Sequence, residues 1–342
     1  MAAVDIVVIG AGVVGLTTAI SLAEAGQSTR VVAAEPPSRA TSVAAGAIWG
    51  PVRCGPDDRC RDWARTGLEV LSALAQDASA GVRQLSGRTL GRTAQTPPQW
   101  ADLLDQWRLL TAAELPAGFA FGWTYTAPAV DMPVYLEYLL RRYASAGGRV
   151  EYATVPSPAS VDAPVVVNCT GIGARSLVPD DSLVPVRGQV VVVENPGISE
   201  FYIDHGAAGA AHYVYAFPHG DLVVLGGTAE EGAFDLAPRP EVSARILRDC
   251  AAVFPALRGA RVVAERVGLR PCRPEVRLEP EPLPGGRTLW HNYGHGGAGV
   301  TLSWGCAREI TAAVAGAATP QDSRPEARQG ARRTPGVHLC RP

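Results

Sequence analysis

The sequence predicts an α/β fold in which an antiparallel sheet is inserted into a parallel, Rossmann-like sheet. Over residues 4–33 a strand, a Gly-x-Gly-x-x-Gly loop, a helix and a second strand follow one another, which is the order of a βαβ nucleotide-binding unit. Residues 187–228 instead have the pattern of short strands separated by turns, typical of an antiparallel sheet. Four of the six residues 294–299 are glycines and precede a helical run. The two ends of the chain are therefore expected to fold back onto one large phosphate-bearing ligand.

The individual elements follow from apolar periodicity and from turn residues. We predict strands over residues 4–9, 29–33, 165–168, 189–194, 212–217, 222–225 and 261–269. We predict helices up to residue 25 and over 60–75, 100–110, 132–146, 241–253 and 300–318. The segment from 321 to 342 is rich in Arg, Pro and Gly and has no periodic apolar face, so we predict a disordered tail there.

The opening glycine loop carries the most specific chemistry. Gly10 allows a tight turn, Gly12 lets the backbone approach a pyrophosphate, and Gly15 lets the helix pack closely on the strand. The start of that helix supplies amide donors and a partial positive charge to phosphates. Glu35 follows Gly15 by 20 residues, where a carboxylate can accept hydrogen bonds from ribose hydroxyls and disfavours a 2′-phosphate. The alternative, a glycine-rich turn in an ordinary α/β unit, is less consistent with this whole arrangement.

The composition excludes several classes of protein. The formal net charge of −2 gives no general field for nucleic acid, and no apolar run approaches the ~20 residues that span a bilayer. Met1 leads directly into the first strand, without the pattern of a signal peptide. The seven cysteines are scattered without a Cys-x-x-Cys pair, which indicates reduced thiols and no metal site. We therefore expect a cytoplasmic protein that binds neither nucleic acid nor membrane.

The chain contains no lysine, so that all 31 basic side chains are arginines. An enzyme that binds pyridoxal phosphate through a lysine Schiff base is excluded, and so is a P-loop nucleotidase with its phosphate-binding lysine. Side-chain recognition of an anion must therefore use arginine or a charged histidine.

At several separated motifs the chain resembles the D-amino-acid oxidase family. The motifs are the loop 10–15, Val43-Ala44-Ala45-Gly46 with Trp49 and Pro51, Val167-Asn168-Cys169-Thr170-Gly171, Arg187-Gly188-Gln189, Tyr215-Ala216-Phe217-Pro218 before Gly226-Gly227-Thr228, Gly268-Leu269-Arg270-Pro271-Cys272-Arg273-Pro274, and His291-Asn292-Tyr293-Gly294-His295-Gly296-Gly297. The resemblance covers roughly residues 4–318. It implies non-covalent FAD and the oxidation of a D-amino acid to an imino acid, with hydrogen peroxide formed from oxygen. The imino acid then hydrolyses to a 2-oxo acid and ammonia.

The resemblance also implies a two-lobed organisation. An FAD-binding Rossmann-like domain would comprise residues 1–52, 128–184 and 284–320, and an inserted antiparallel-sheet substrate domain would comprise 53–127 and 185–283. A homodimer is a further expectation.

The family's substrate-binding residues match three positions of this sequence. Arg270 corresponds to the arginine that holds the substrate carboxylate as a two-pronged ion pair, and Tyr215 to the tyrosine that adds a hydrogen bond. Gly297 corresponds to the residue whose carbonyl accepts a hydrogen bond from the substrate amine. Tyr213 lies on the same predicted strand face as Tyr215 and is a further candidate, with a packed aromatic residue as its alternative. Arg273 is expected to be a structural neighbour.

The resemblance also assigns a set of cofactor contacts. These are Gly10, Ala11, Gly12, Val13, Val14 and Gly15 with Glu35, then Thr41, Ser42, Ala45, Gly46 and Gly171, and finally Gly296, Gly299, Val300 and Thr301. A helix that begins near Gly299 would point its positive end at the flavin. His291 and His295 are expected to be structural, because hydride transfer to flavin needs no acid or base from the protein.

Three positions bear on substrate choice. Ala298 stands where family members often carry a tyrosine, and Ala211 or a neighbour stands where many have the tyrosine of a mobile lid. A more open pocket is therefore expected. The D-aspartate branch of the family uses extra cationic groups, and Arg53 is the one candidate for such a group. We predict neutral D-amino acids and oxygen as substrates.

Four alternatives stay open at this point. A D-aspartate oxidase and a glycine or sarcosine oxidase belong to the same flavin superfamily. An NAD-dependent dehydrogenase would share the opening motif. A non-enzymatic nucleotide-binding protein would have little reason to keep Glu35, Arg270 and Tyr215 together.

Overall fold

The computed structural model describes residues 5–51, 58–93, 96–204 and 212–317. The helices are α1 (Val13–Glu24), α2 (Asp58–Leu74), α3 (Met132–Ser145), α4 (Ala174–Leu177), α5 (Pro240–Val253) and α6 (Gly299–Ala317). The strands are β1 (Asp5–Ile9), β2 (Ser28–Ala33), β3 (Val82–Gly91), β4 (Arg108–Leu109), β5 (Phe121–Val130), β6 (Arg149–Tyr152), β7 (Val165–Asn168), β8 (Val184–Glu194), β9 (Phe201–Asp204), β10 (His212–His219), β11 (Leu222–Thr228), β12 (Glu230–Glu231), β13 (Val262–Leu283) and β14 (Arg287–His295).

One half of the sheet is parallel, in the order β14-β7-β1-β2-β6. The order reverses beside β1, since β2 lies on one side of it and β7 on the other. In open parallel sheets such a switch point forms a ligand crevice at the carboxyl ends of the strands. β1 is buried on both faces: Ile6 and Val8 belong to the core that includes α1, while Val7 and Ile9 belong to a second apolar cluster. This burial explains the unbroken apolar run of β1.

The other half is mainly antiparallel. Strands β9, β10, β11, β8 and β13 lie side by side with antiparallel pairing. Helix α5 covers this half through its apolar face, which packs against the strands in a separate core made of Val191, Val193, Ala216, Val223, Leu225, Val242, Ile246, Cys250 and Leu257. Strands β3 and β5 extend the sheet beyond β9.

β13 joins the two halves. Its 22 residues pair with β8 from Val262 to Cys272 and with β14 from Cys272 to Leu283. The register with β14 shifts between Cys272 and Arg277, so the strand bends as it passes from one half to the other. A single strand therefore reaches both the antiparallel half and the edge of the parallel half.

The predicted fold class is confirmed, and most predicted elements are present with small differences at their ends. The helix predicted over residues 100–110 is wrong. A short 3-10 turn occupies Ala101–Leu103, and the chain then pairs as β4 with β5. β3 and β5 are strands that the sequence pattern did not indicate, and β13 is much longer than the strand predicted over 261–269. The predicted tail from 321 to 342 lies outside the described residues.

Candidate cofactor and substrate site

The opening glycine loop lies at the switch point between β1 and β7. Gly10 adopts a φ of 108°, in the region that favours glycine, and a Cβ there would lie 2.5 Å from the Cys169 carbonyl oxygen. A Cβ on Gly15 would overlap the Gly10 carbonyl. At Gly12 a Cβ would lie 3.3 Å from Ser42 Oγ. Gly10 and Gly15 are therefore needed for close approach of backbone to backbone, whereas Gly12 packs against the Ser42 side chain.

The N-terminus of α1 opens into this crevice. Gly12 occupies the N-cap position of α1. The first turn of this helix, whose residues are all described, contains no acidic residue. The Val13 amide donates to Ser42 Oγ at 3.1 Å. The partial positive charge of the helix is consequently not neutralised by a side chain of its own first turn.

Glu35 lies two residues beyond β2 on the same edge of the sheet. Its carboxylate forms an ion pair with Arg39 at 3.2 Å, and the two side chains are 57% and 72% exposed. An ion pair this exposed contributes little. The carboxylate of Glu35 is therefore free to accept hydrogen bonds from ligand hydroxyls.

The second glycine loop connects β14 to α6. Gly296 has a φ of 54° and donates its amide to the Pro271 carbonyl at 2.9 Å. The next residue, Gly297, is exposed. Since β14 is parallel to β1 and a helix follows each strand, the N-termini of α1 and α6 lie at the same edge of the sheet.

The segment from Ser42 to Gly50, here called the connecting loop, runs between these two helix N-termini. At one end Ser42 Oγ accepts from the Val13 amide of α1. At the other end Thr301 Oγ1 of α6 donates to the Gly50 carbonyl at 3.1 Å and lies 3.0 Å from the Gly50 amide. Ala45 and Gly46 lie in the middle of this loop. Thr41 borders it and packs its carbonyl against Gly268 of β13. Gly171 contributes the start of a 3-10 turn after β7.

Arg270 and Tyr215 meet on the antiparallel half. The Arg270 guanidinium is half-buried and donates from Nη1 to the Thr228 carbonyl at 2.9 Å. Within the described residues it takes part in no ion pair. Burial raises the pKa of Tyr215, and the charge of Arg270 together with its hydrogen bond partly opposes that rise. An arginine with free donors and a neutral tyrosine hydroxyl therefore stand side by side, and this pair suits a carboxylate.

Small residues make the room for this pair. A Cβ on Gly188 would lie 2.6 Å from Arg270 Cζ, and a Cβ on Gly227 would lie 2.8 Å from Tyr215 Oη. The Tyr215 ring also stacks on Phe217, with ring centroids 4.8 Å apart. The position of both side chains is consequently fixed by the glycines of the motifs around them. Tyr213 is half-buried on the same strand.

Arg273 has a different environment from Arg270. Its Nε donates to Asp180 Oδ2 at 3.0 Å, and the Tyr293 hydroxyl donates to the same oxygen at 2.9 Å. Burial raises the pKa of Asp180, but hydrogen bonds from Ser182, Tyr293 and Arg273 outweigh it and bring the pKa to about 2. Asp180 is therefore charged at neutral pH and engages the guanidinium of Arg273.

The histidines of the second glycine signature are buried and neutral. His295 Nε2 lies 3.6 Å from Cys306 Sγ, and burial lowers the pKa of His295 to about 4 while it raises the pKa of Cys306. His291 Nε2 lies 2.9 Å from Glu281 Oε2, and burial lowers its pKa as well. Neither imidazole is poised to exchange protons near neutral pH.

Some contacts of the site have no sequence signal, because they involve backbone carbonyls. These are the Thr228 carbonyl that accepts from Arg270 and the Gly46 carbonyl that contacts His219. Ala298 is fully buried behind the second glycine loop. Arg53 and Ala211, on which the expectations about substrate charge and a lid depend, lie outside the described residues.

No helix in the described ranges is long and apolar enough to cross a membrane. Among the same residues, no three His, Cys, Asp or Glu side chains are grouped so that they could hold a metal ion.

A parallel sheet with a glycine loop at its switch point and an attached antiparallel sheet is the arrangement of a nucleotide-dependent α/β enzyme. The model of the FAD dependent oxidoreductase family DAO matches residues 5–313. The chain therefore belongs to this family of FAD-dependent oxidoreductases.

Relatives over nearly the full length support the same assignment. A D-amino-acid oxidase of Rubrobacter xylanophilus is 49% identical over 315 residues, which cover 91% of this chain and 96% of that protein. A D-amino-acid oxidase of Streptomyces coelicolor is 48% identical over 311 residues, 89% of this chain and 95% of that protein. A human D-aspartate oxidase is 36% identical over 328 residues, 90% of this chain and 94% of that protein.

The fold is also found among solved structures. Glycine oxidase from Bacillus cereus superimposes with a TM-score of 0.75 over 92% of this chain and 95% of that one, at 21% identity. At this identity the likeness establishes the shared fold alone.

Proposed function

We propose that this enzyme oxidises neutral D-amino acids with FAD and oxygen, to give a 2-oxo acid, ammonia and hydrogen peroxide. The observation that carries the proposal is the half-buried Arg270 beside the Tyr215 hydroxyl, with its remaining N–H donors free of any carboxylate among the described residues. The Gly296 amide binds the carbonyl of Pro271, the residue next to Arg270. A carboxylate on this pair would therefore bring its α-carbon close to the second glycine loop.

The cradle of backbone and small residues fits FAD. We assign the pyrophosphate to the loop 10–15 at the N-terminus of α1, where Cβ atoms on Gly10 and Gly15 would meet backbone. We assign the ribose to Glu35, and the flavin ring to the connecting loop with Gly171 on one side and Gly296, Gly299, Val300 and Thr301 on the other. The N-terminus of α6 would then stabilise negative charge on the flavin.

The chain's own residues bind and orient the substrate. The Arg270 fork and the Tyr215 hydroxyl hold the carboxylate, and the exposed Gly297 offers its carbonyl to the amine. With the carboxylate and the amine both fixed, one enantiomer alone presents its α-hydrogen to the cofactor. FAD, when bound, accepts the hydride from that carbon. Because His291 and His295 are buried and neutral, the protein contributes orientation and electrostatics.

The preference for neutral side chains rests on the relatives. The two proteins at 48% and 49% identity are named D-amino-acid oxidases, whereas the human D-aspartate oxidase is 36% identical. A D-aspartate oxidase is the second candidate for this reason. We propose that Tyr213, two residues before Tyr215 on β10, is a further substrate contact.

A peroxide assay with matched D- and L-amino acids tests the function. We expect D-alanine, D-valine, D-methionine and D-proline to give peroxide and their L forms to give none. Turnover of D-aspartate above every neutral substrate would replace the proposal by the second candidate, and equal turnover of L forms would contradict the binding mode.

The absorption spectrum tests the cofactor separately. We expect a yellow protein whose colour passes into the supernatant on acid precipitation, because the FAD is not covalently bound. A colourless protein that binds NAD and cannot be reconstituted with FAD would contradict the assignment.

We also propose a cytoplasmic location. The described cysteines Cys169, Cys250 and Cys306 are buried thiols outside any disulfide, and such thiols are typical of a reducing compartment. To test this location, a protease is added to intact cells and to lysed cells. We expect the protein to be digested in the lysed cells alone. The homodimer stays a prediction, to be tested by light scattering.

A further inference from the structure

The middle of the connecting loop is held by a histidine that belongs to no motif of the site. His219, at the end of β10, is 7% exposed, and its Nε2 lies 3.1 Å from the Gly46 carbonyl oxygen. A carbonyl oxygen can only accept a hydrogen bond, so Nε2 carries the proton and donates. This contact links β10 to the connecting loop.

The face of β10 that carries Tyr215 is the same face that reaches the loop. Tyr215, Phe217 and His219 are alternate residues of the strand and share one face. A Cβ on Gly46 would lie 2.7 Å from Phe217 Cδ2 and 3.3 Å from Tyr215 Cε2. Gly46 therefore packs directly on these rings, and His219 takes its carbonyl at the far end of the row.

The peptide that follows Gly46 is constrained from both sides. Ala47 has a φ of 39°, an unusual value for a residue with a side chain. Its carbonyl accepts the Val130 amide at 2.8 Å. With the Gly46 carbonyl held by His219, the plane of the Gly46–Ala47 peptide is fixed. Because the N–H of a trans peptide points opposite to its carbonyl, the Ala47 amide points away from His219.

The amides of Gly46 and Ala47 donate to no acceptor within the described residues. Gly46 is buried and Ala47 is half-buried, and backbone donors in such places usually have a partner. The loop lies between the N-termini of α1 and α6. These two consecutive donors therefore suit the polar edge of the cofactor.

Burial favours the neutral form of His219 and lowers its pKa. The Gly46 carbonyl and Asp131 favour a proton on the ring, whereas Arg83 from β3 and Arg266 from β13 repel one. Arg266 itself donates to the Val43 carbonyl of the same loop at 3.3 Å. A neutral ring with one fixed proton is a stable hydrogen-bond donor across the neutral range.

We propose that His219 is a positioning residue for FAD: its Nε2–H holds the Gly46 carbonyl so that the Ala47 amide, in the same peptide plane, faces the flavin. The inference rests on the proposed placement of the flavin beside the connecting loop. It predicts that a change outside the Arg270–Tyr215 pair weakens cofactor binding, with little change in the KM for D-alanine.

Two variants separate the hydrogen bond from the packing. His219→Phe keeps an aromatic ring and removes the donor, whereas His219→Gln keeps an amide N–H at a similar reach. His291→Gln is the matched control, since His291 is also buried but contacts Glu281 instead. The dissociation constant of FAD from each apoprotein is measured by quenching of FAD fluorescence, and the spectrum of bound flavin and the apoprotein's thermal unfolding are recorded alongside.

We expect His219→Phe to raise the dissociation constant of FAD by about five- to thirty-fold, because the buried Gly46 carbonyl is left without its donor, and to shift the flavin absorption bands. His219→Gln should stay within about threefold of wild type, as should His291→Gln. Wild-type affinity and spectrum in His219→Phe would overturn the inference. So would equal weakening in His219→Gln and His219→Phe, or a lower unfolding temperature of the apoprotein with FAD affinity unchanged. A wild-type protein that binds no FAD would overturn the proposed function itself.

Discussion

Gly305 of α6 lies directly against the main chain of Trp63 in α2, so that a Cβ on Gly305 would come within 2.6 Å of the Trp63 carbonyl oxygen. The contact is reciprocal, because a Cβ on Gly67 of α2 would overlap the Thr301 carbonyl of α6. Thr301 also holds Gly50 at the end of the connecting loop. The crossing of two helices thus sets the position of the α6 N-terminus.

Replacing Gly67 by Ala tests this crossing. We expect Gly67→Ala to push α2 from the Thr301 carbonyl and to lower the free energy of unfolding by about 1–3 kcal/mol, the usual cost of overpacking. Gly316→Ala is the control, because nothing lies within 4 Å of a Cβ at that position of α6. Alanine's higher helix propensity should leave the control at least as stable as wild type. Urea unfolding measures both, and equal stability of the two variants would show that the crossing tolerates a methyl group.

Replacing Arg270 tests the carboxylate anchor. If Arg270→Ala leaves the substrate carboxylate without its partner, substrate binding should weaken by roughly 2–5 kcal/mol, and the KM for D-alanine should rise by about one and a half to nearly four decades if it tracks binding. Arg270→Lys keeps the charge but loses the forked geometry of the guanidinium. Its KM should therefore lie between those of wild type and Arg270→Ala. FAD content should not change.

Arg273→Ala is the matched comparison for Arg270→Ala. It removes the partner of Asp180, so we expect a lower unfolding temperature with a nearly unchanged KM. If Arg270→Ala still contains flavin and its KM is unchanged, a residue other than Arg270 binds the substrate carboxylate.

Glu35 should contribute to cofactor affinity and not to folding. Its carboxylate is exposed and is paired only weakly with Arg39. We expect Glu35→Ala to weaken FAD binding by about 1.5–3 kcal/mol, the range for hydrogen bonds to a charged group. Arg39→Ala removes the ion pair alone and should bind FAD like wild type. Fluorescence titration of the apoproteins measures both, and wild-type affinity in Glu35→Ala would exclude a ribose contact.

His295 should make the protein sensitive to acid. Its pKa of about 4 in the folded state lies below the ordinary value near 6.5, so the unfolded state binds the proton more tightly. The stability from the neutral ring is complete above about pH 6.5 and is lost as the pH falls toward 4. Between pH 7.5 and pH 4.5 this group should cost roughly 2–3 kcal/mol of the free energy of unfolding.

The comparison with His295→Gln isolates this effect, because the other titrating groups are common to both proteins. Denaturant unfolding at the two pH values should show a steeper loss in wild type than in the variant. Parallel loss in the two proteins would mean that His295 does not carry the acid sensitivity.

The parallel half of the fold could be predicted from sequence because its strands are buried on both faces. β1 and β7 are short unbroken apolar runs followed by glycine motifs, and both are where the sequence pattern places them. The helix predicted over 100–110 failed for a physical reason. Trp100, Leu103, Leu104 and Trp107 have helical spacing, but Trp107 packs on Trp123 of β5 and the chain continues as β4. Tertiary contacts therefore outweighed the helical pattern of residues 100–110.

The site could be predicted in part, for a similar reason. Arg270, Tyr215 and the glycines belong to motifs whose side chains or small size are visible in the sequence. The roles of Thr228 and of His219 were not visible, because one offers a backbone carbonyl and the other binds one. Contacts of this kind depend on where strands lie in space, and no pattern of residue types reports them.

The long strand β13 also limits how the enzyme can open. Arg270 pairs with Val186 of β8, and Cys272, two residues later, pairs with His295 of β14. The proposed substrate anchor and the strand that leads into the second glycine loop are thus joined by β13, whose Cys272 pairs on one side with Val184 of β8 and on the other with His295 of β14. The distance between anchor and cofactor is a property of the backbone and does not depend on a domain hinge. The pairing of β13 with β8 and β14 therefore sets the spacing between the anchor and the loop, and a hinge motion between the two halves would have to break this pairing.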